Sequence, residues 1–115
     1  MNEPHFFGGA ESEWTEHPQF PGLFIKVLES RATHPGASVT LTRLAAGKSI
    51  GRHVHVVETE TAYLLSGSAR LCWNDSETIL AAGSGVTIPP GTYHSLHNLG
   101  ESEIELIAIH VPPVR

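Results

Sequence analysis

From Pro21 onward, apolar and polar positions alternate in short segments of Val, Ile, Leu, Thr and aromatic residues, each closed by Gly, Pro, Asn, Asp or Ser. Alternation with a period of two marks strands with one buried face, and the closing residues supply turns. The pattern predicts strands at Leu23–Glu29, Ser38–Leu44, Arg52–Val57, Thr61–Leu65, Ala69–Trp73, Thr78–Leu80, Gly85–Ile88, His94–His97 and Ile104–Val111. Ser66-Gly67-Ser68 reads as a tight hairpin and Asn74-Asp75-Ser76 as the next reversal. Ile88-Pro89-Pro90-Gly91-Thr92 reads as a rigid turn, because proline presets φ and glycine admits positive φ. In the last segment Glu101, Glu103 and Glu105 alternate with Ser102, Ile104 and Leu106. The run Ile107-Ala108-Ile109 then breaks the alternation and predicts cover on both faces. Many short strands and no long helix fit an all-β sandwich or barrel of jelly-roll type over residues 21–115. Residues 1–20 show neither period and read as a short irregular arm with a helical turn near Ser12–Glu16.

Composition narrows the function. A chain of 115 residues, 40% hydrophobic and 17% charged, is expected to be one folded domain. No apolar run approaches the roughly 18 residues of a membrane span. The opening MNEPHFFGGAESEW lacks the basic and apolar stretches of a signal peptide, so a soluble cytoplasmic protein is expected. Seven Lys+Arg against twelve Asp+Glu give a net charge of −5 with no basic patch, which makes nucleic acids and anionic membranes poor partners. The arm adds Glu3, Glu11, Glu13 and Glu16 with no Lys or Arg before Lys26. A single cysteine, Cys72, excludes an intrachain disulfide and a cysteine-based zinc site, so any metal must rely on His, Asp or Glu. The eight histidines outnumber Lys and Arg together.

His53 and His55 stand at i and i+2 of a predicted strand, where side chains share a face. Gly51 relieves crowding there, and Val54 and Val56 fall on the opposite, packed face. Glu60 has the wrong parity to join them unless the chain bulges or turns around Val57–Thr59. His94 follows the proline-rich turn. Such nitrogen and oxygen donors suit Fe, Mn, Co, Ni, Cu or Zn rather than Ca or Mg.

The spacing of these residues is that of two known motifs. Gly47, His53, His55, Glu60 and Gly67, within GKSIGRHVHVVETETAYLLSG, match the first cupin motif. Gly83, Pro89, Pro90, Gly91, His94 and Asn98, within GSGVTIPPGTYHSLHN, match the second. On these residues the chain resembles the small single-domain microbial cupins, RmlC-like jelly rolls. The resemblance implies a double-stranded β-helix barrel holding one divalent transition metal through His53, His55, Glu60 and His94, and a homodimer. It also implies a site able to bind a bidentate oxygen ligand, or one substrate oxygen plus dioxygen or water, and to act as Lewis acid or redox centre.

Glu58 competes with Glu60 for the carboxylate position but breaks both motif spacings. Asn98 is expected to satisfy backbone near its turn. His97 is out of phase with His94 and should face away from the pocket. His110 shares parity with Ile104, Leu106 and Ala108, as a core residue or a pocket wall. His5, His17 and His34 read as surface residues, Tyr63 and Trp73 as packing aromatics, Cys72 as a small buried hydrophobe, and Arg52 as out of phase with the donors. The expected function is a metal-dependent enzyme acting on an oxygen-rich small molecule, with dioxygenase-type chemistry ahead of lyase or isomerase and Glu60 as catalytic base. The alternative is a non-enzymatic module that binds or senses a sugar or carboxylate.

Overall fold

The structure, a computed structural model, describes residues 3–9 and 12–115. Its strands are β1 (Thr15–Glu16), β2 (Leu23–Glu29), β3 (Ser38–Leu44), β4 (Ser49–His53), β5 (Thr59–Ser66), β6 (Ser68–Trp73), β7 (Ser76–Ala81), β8 (Gly85–Ile88), β9 (His94–His97) and β10 (Ile104–Val111). They form a six-stranded sheet ordered β1-β2-β3-β10-β5-β8 and a four-stranded sheet ordered β4-β9-β6-β7, antiparallel throughout. Leu23, Leu44, Leu64, Leu71, Leu96 and Ile104 pack at the centre of the core between them. This is the all-β jelly-roll barrel that the alternation predicts, and no helix is present among the described residues.

Several local expectations are corrected. In place of a helical turn near Ser12–Glu16, Thr15 and Glu16 pair with Ile25 and Phe24 and extend the sheet. The Arg43 guanidinium stacks 4.1 Å from the Trp14 ring, and His5 bonds the buried Glu29 at 2.8 Å. The arm therefore packs on its own barrel, and His5 is no plain surface residue. Glu11, one of its acidic residues, lies outside the described residues. In β10 the alternation persists to the end: Ile107 and Ile109 are half-buried on the outer face and are not covered.

The Ser66–Ser68 turn does not form a hairpin. β5 lies in one sheet and β6 in the other, so Gly67 carries the chain across the barrel. Its φ is +80°, and a Cβ there would lie 2.5 Å from Cγ2 of the buried Ile104. Only glycine fits both requirements. Asn74-Asp75 does close a hairpin, with Trp73 opposite Ser76. Asn98, 1% exposed, bonds the carbonyls of Leu44, Ala45 and Ser102 through Nδ2 and accepts from Gly100 N–H. This is the backbone role expected of its amide.

β3 runs against simple amphipathic logic. Ser38, Thr40 and Thr42 point inward with Leu44, while Val39, Leu41 and Arg43 point outward. Three hydroxyls on an inner face mark a wall that borders polar space.

Candidate metal centre

The two adjacent histidines of the first motif are delivered differently from expectation. The strand that carries them is Ser49–His53, not Arg52–Val57. A register shift between Ile50 and His53 ends its pairing with β9 at His53 opposite His94. His55 lies beyond the strand, pinned where its carbonyl accepts from Gly91 N–H at 2.8 Å. Gly91, at φ +78°, belongs to the proline-rich turn before His94, so one hydrogen bond ties the loops bearing the two histidines. Val56 is 74% exposed and Val54 lines the cavity, so neither packs on an opposite face as expected. The chain bends at Val56–Val57, as Glu60 requires, and β5 opens at Thr59.

His53, His55, Glu60 and His94 each offer one donor atom, and these atoms lie within 4.8 Å of one another. The imidazoles of His53 and His94 have ring centroids 4.2 Å apart, and those of His53 and His55 5.2 Å apart. His53 Nδ1–H donates to Gly51 O at 2.7 Å and His94 Nδ1–H to Thr92 O at 2.9 Å. These bonds orient the two rings so that Nε2 points to the centre, the orientation found around histidine-bound metals. Gly51 has a second role: a Cβ there would meet the Phe20 ring at 3.2 Å.

A fifth residue completes the cluster. Nε2 of His110 lies 3.1 Å from Glu60 Oε1, beside His55 Nε2 at 3.2 Å and His94 Nε2 at 3.3 Å from the same oxygen. His110 stands directly opposite Glu60 in the β10–β5 pairing. Its inward parity was legible in the sequence, but its contact with Glu60 was not, because strand pairing decides it. Burial opposes ionisation of Glu60, but the hydrogen bonds from His110, His55 and His94 outweigh it and hold the carboxyl well below the usual carboxylate range. Burial pushes the His53 imidazole down. For His94 the bonds to Glu60 and Thr92 overcome burial and raise it.

Three imidazole nitrogens and a carboxylate, two of the rings pre-oriented by backbone carbonyls, fit a divalent transition metal in donor chemistry and in spacing. Glu58 lies outside the cluster. Glu58→Gln is expected to leave bound metal unchanged by elemental analysis. His110→Ala should weaken metal affinity by about 10- to 100-fold, as loss of a partner that orients a ligand does, measured by competition with a chelator.

The cluster opens on a cavity of about 280 Å³ walled by β2, β3, β10, the arm and the end of the chain. His17 and Phe20 of the arm line it, so His17 too is more than a surface residue. His34 is a turn residue, with Nδ1 accepting from Gly36 and Ala37 N–H. His97 faces away, between Ser49 Oγ at 2.8 Å and Ser95 Oγ at 2.9 Å. Arg52 lies over the Tyr93 ring, Tyr63 is exposed on the outer face, Cys72 is half-buried and Trp73 packs against the core.

A double-stranded β-helix barrel with a three-histidine, one-glutamate cluster at its mouth defines a class of small jelly-roll proteins. The chain belongs to the cupins: residues 40–110 match the family model Cupin_2, the cupin domain. Over 84 residues it is 30% identical to the oxalate-binding protein of Thermotoga maritima, spanning 72% of this chain and 69% of that protein. A predicted oxalate decarboxylase from the same organism superposes with a TM-score of 0.81 at 25% identity, over 94% of this chain and 99% of that one. An RmlC-like cupin from Shewanella frigidimarina gives 0.82 at 18% identity, over 98% and 95% of the two chains. Among the described residues no helix is long and apolar enough to cross a membrane.

Proposed function

We propose that this cupin is a metal-dependent enzyme acting on a small, oxygen-rich carboxylate, with one divalent transition metal held by His53, His55, Glu60 and His94. The observation that carries the reading is the convergence of those donors, three of which, His53, His55 and Glu60, line a partly open cavity of about 280 Å³. That volume sits at the lower edge of the usual ligand range, roughly 300–1,000 Å³, and favours a ligand of few heavy atoms. The likeness to an oxalate-binding protein supports a carboxylate. When bound, the metal supplies Lewis acidity and, if it is redox-active, access to dioxygen chemistry.

The chain's own residues position and move protons around that centre. Backbone carbonyls of Gly51 and Thr92 hold the rings of His53 and His94. Glu60 Oε1 is the proton acceptor facing the cavity, and His110 Nε2–H holds that oxygen in place. A carboxylate stabilised by three imidazoles is a weak base. Glu60 would act as a general base only when not engaged as a metal ligand, with His110 still donating to it.

The test is anaerobic reconstitution of tag-free protein with Fe(II), Mn(II), Ni(II) or Zn(II), followed by oxalate, malonate, diols, enediols and phenols with and without dioxygen. Turnover with at least one metal and a carboxylate is expected, and no turnover with any pair overturns the enzyme reading. Ligand-induced stabilisation without product would favour the binding module, a reading that the oxalate-binding relative keeps in view. We further propose that the chain forms a homodimer through the outer face of the six-stranded sheet, where Tyr63 and Leu65 are exposed beside half-buried Ile107 and Ile109. Sedimentation equilibrium should give twice the chain mass, and Tyr63→Glu should shift it to the monomer.

A further inference from the structure

One wall of the cavity takes no part in holding the donor cluster. Beyond β10 the chain folds back along the rim, fastened by Val114 N–H to Ser38 Oγ at 3.1 Å and by Arg31 N–H to Arg115 O at 2.7 Å. The Arg31 guanidinium adds a bond to Pro113 O at 3.3 Å. These bonds carry Arg115 into the cavity lining, where it is half-buried and the cation of that wall among the described residues. Burial pushes its guanidinium below its usual value, and the Glu60 carboxylate opposes the shift. Its side chain has no hydrogen bond and no ion pair among the described residues. Thr40 lines the same cavity, 2% exposed, and its hydroxyl is without a hydrogen-bond partner.

A buried hydroxyl without an acceptor is unfavourable until a ligand supplies one, and the half-buried guanidinium beside it on the same cavity, bonded to no described protein group, is available to an anion. One group satisfies both. A carboxylate accepts two parallel N–H bonds from the guanidinium fork and a third bond from a hydroxyl. We propose that Arg115 and Thr40 form a carboxylate subsite, so that the ligand is a small anion reaching from them toward the donor cluster; this rests on reading that cluster as a metal-dependent ligand site. The net charge of −5 repels anions at long range, so selection for an anion has to be local. Glu60 also repels an anion until a divalent cation offsets its charge. Metal therefore binds before the anion, and the metal-free protein binds carboxylates weakly.

The experiment measures calorimetric affinity for malonate, oxalate and ethylene glycol on metal-loaded protein, with metal content determined on the same samples. Arg115→Gln is expected to weaken malonate and oxalate binding by about 10- to 100-fold at unchanged metal content, the loss typical of a charge-assisted bond. Ethylene glycol binding should not move. Arg115→Lys should recover only part of the loss, because an ammonium keeps the charge without the fork. Thr40→Val should lower carboxylate affinity by a smaller factor. Arg115→Gln with full metal content and wild-type malonate affinity overturns the subsite while leaving the metal site standing. Wild-type protein that takes up no metal overturns the underlying reading instead, and the subsite with it.

Discussion

Alanine in place of His94 is expected to cut the metal bound per chain by more than about tenfold, measured by elemental analysis of tag-free protein after dialysis against a fixed free-metal concentration. Loss of a partner that merely orients a ligand costs about 10- to 100-fold in affinity, and loss of a ligand should cost no less. His94 is well suited to the comparison because it is buried and oriented through Thr92 O, and its ring lies against that of His53. Its removal also withdraws one of the three imidazoles that stabilise the Glu60 carboxylate. His97→Ala is the control. It lies on the same strand but bonds Ser49 and Ser95 on the other face, so its removal should leave metal content intact. A His94→Ala protein that still holds one equivalent would mean that the metal sits elsewhere.

Gly67→Ala should destabilise the barrel by about 2–4 kcal/mol, combining the left-handed backbone penalty with overpacking against a buried side chain. For a domain of this size that lowers the thermal midpoint by roughly 10–20 °C. Scanning calorimetry on metal-free protein reads the effect without a contribution from ligand binding. Gly47→Ala separates the two causes. Gly47 has φ +71° but nothing within 4 Å of its missing Cβ, so only the backbone penalty, about 1–2 kcal/mol, should appear. Equal losses at the two glycines would show that contact with Ile104 contributes nothing.

Both glycines belong to the first motif, and their different surroundings show what a sequence does and does not disclose. Strand periodicity and turn residues were enough to place most strands, the Asn74-Asp75 hairpin and the all-β fold. Motif spacing singled out the four residues whose donor atoms the fold brings together. Long-range pairing is what remained out of sight. Gly67 looks like a hairpin turn until its flanking strands are seen in different sheets. His110 meets Glu60 only through the β10–β5 register. Arg115 reaches the cavity only because Arg31 and Ser38, distant in sequence, tie the chain end down. Local patterns carry no record of such closures, because each depends on a partner many residues away.

The inward hydroxyls of β3 bear on how the barrel assembles. A slip of one residue would turn Val39 and Leu41 inward and Ser38, Thr40 and Thr42 outward, so along most of its length this strand is locally frustrated. Its far end opposes the slip: Leu44 would lose its place in the core and Arg43, paired with Glu105 at 2.7 Å, would enter it. Asn98 clamps the same end through the Leu44 and Ala45 carbonyls. The frustration is thus confined to one strand, and β3, together with β2 whose long ladder partner it is, should gain hydrogen-exchange protection on refolding after the β10-β5-β8 part of the sheet.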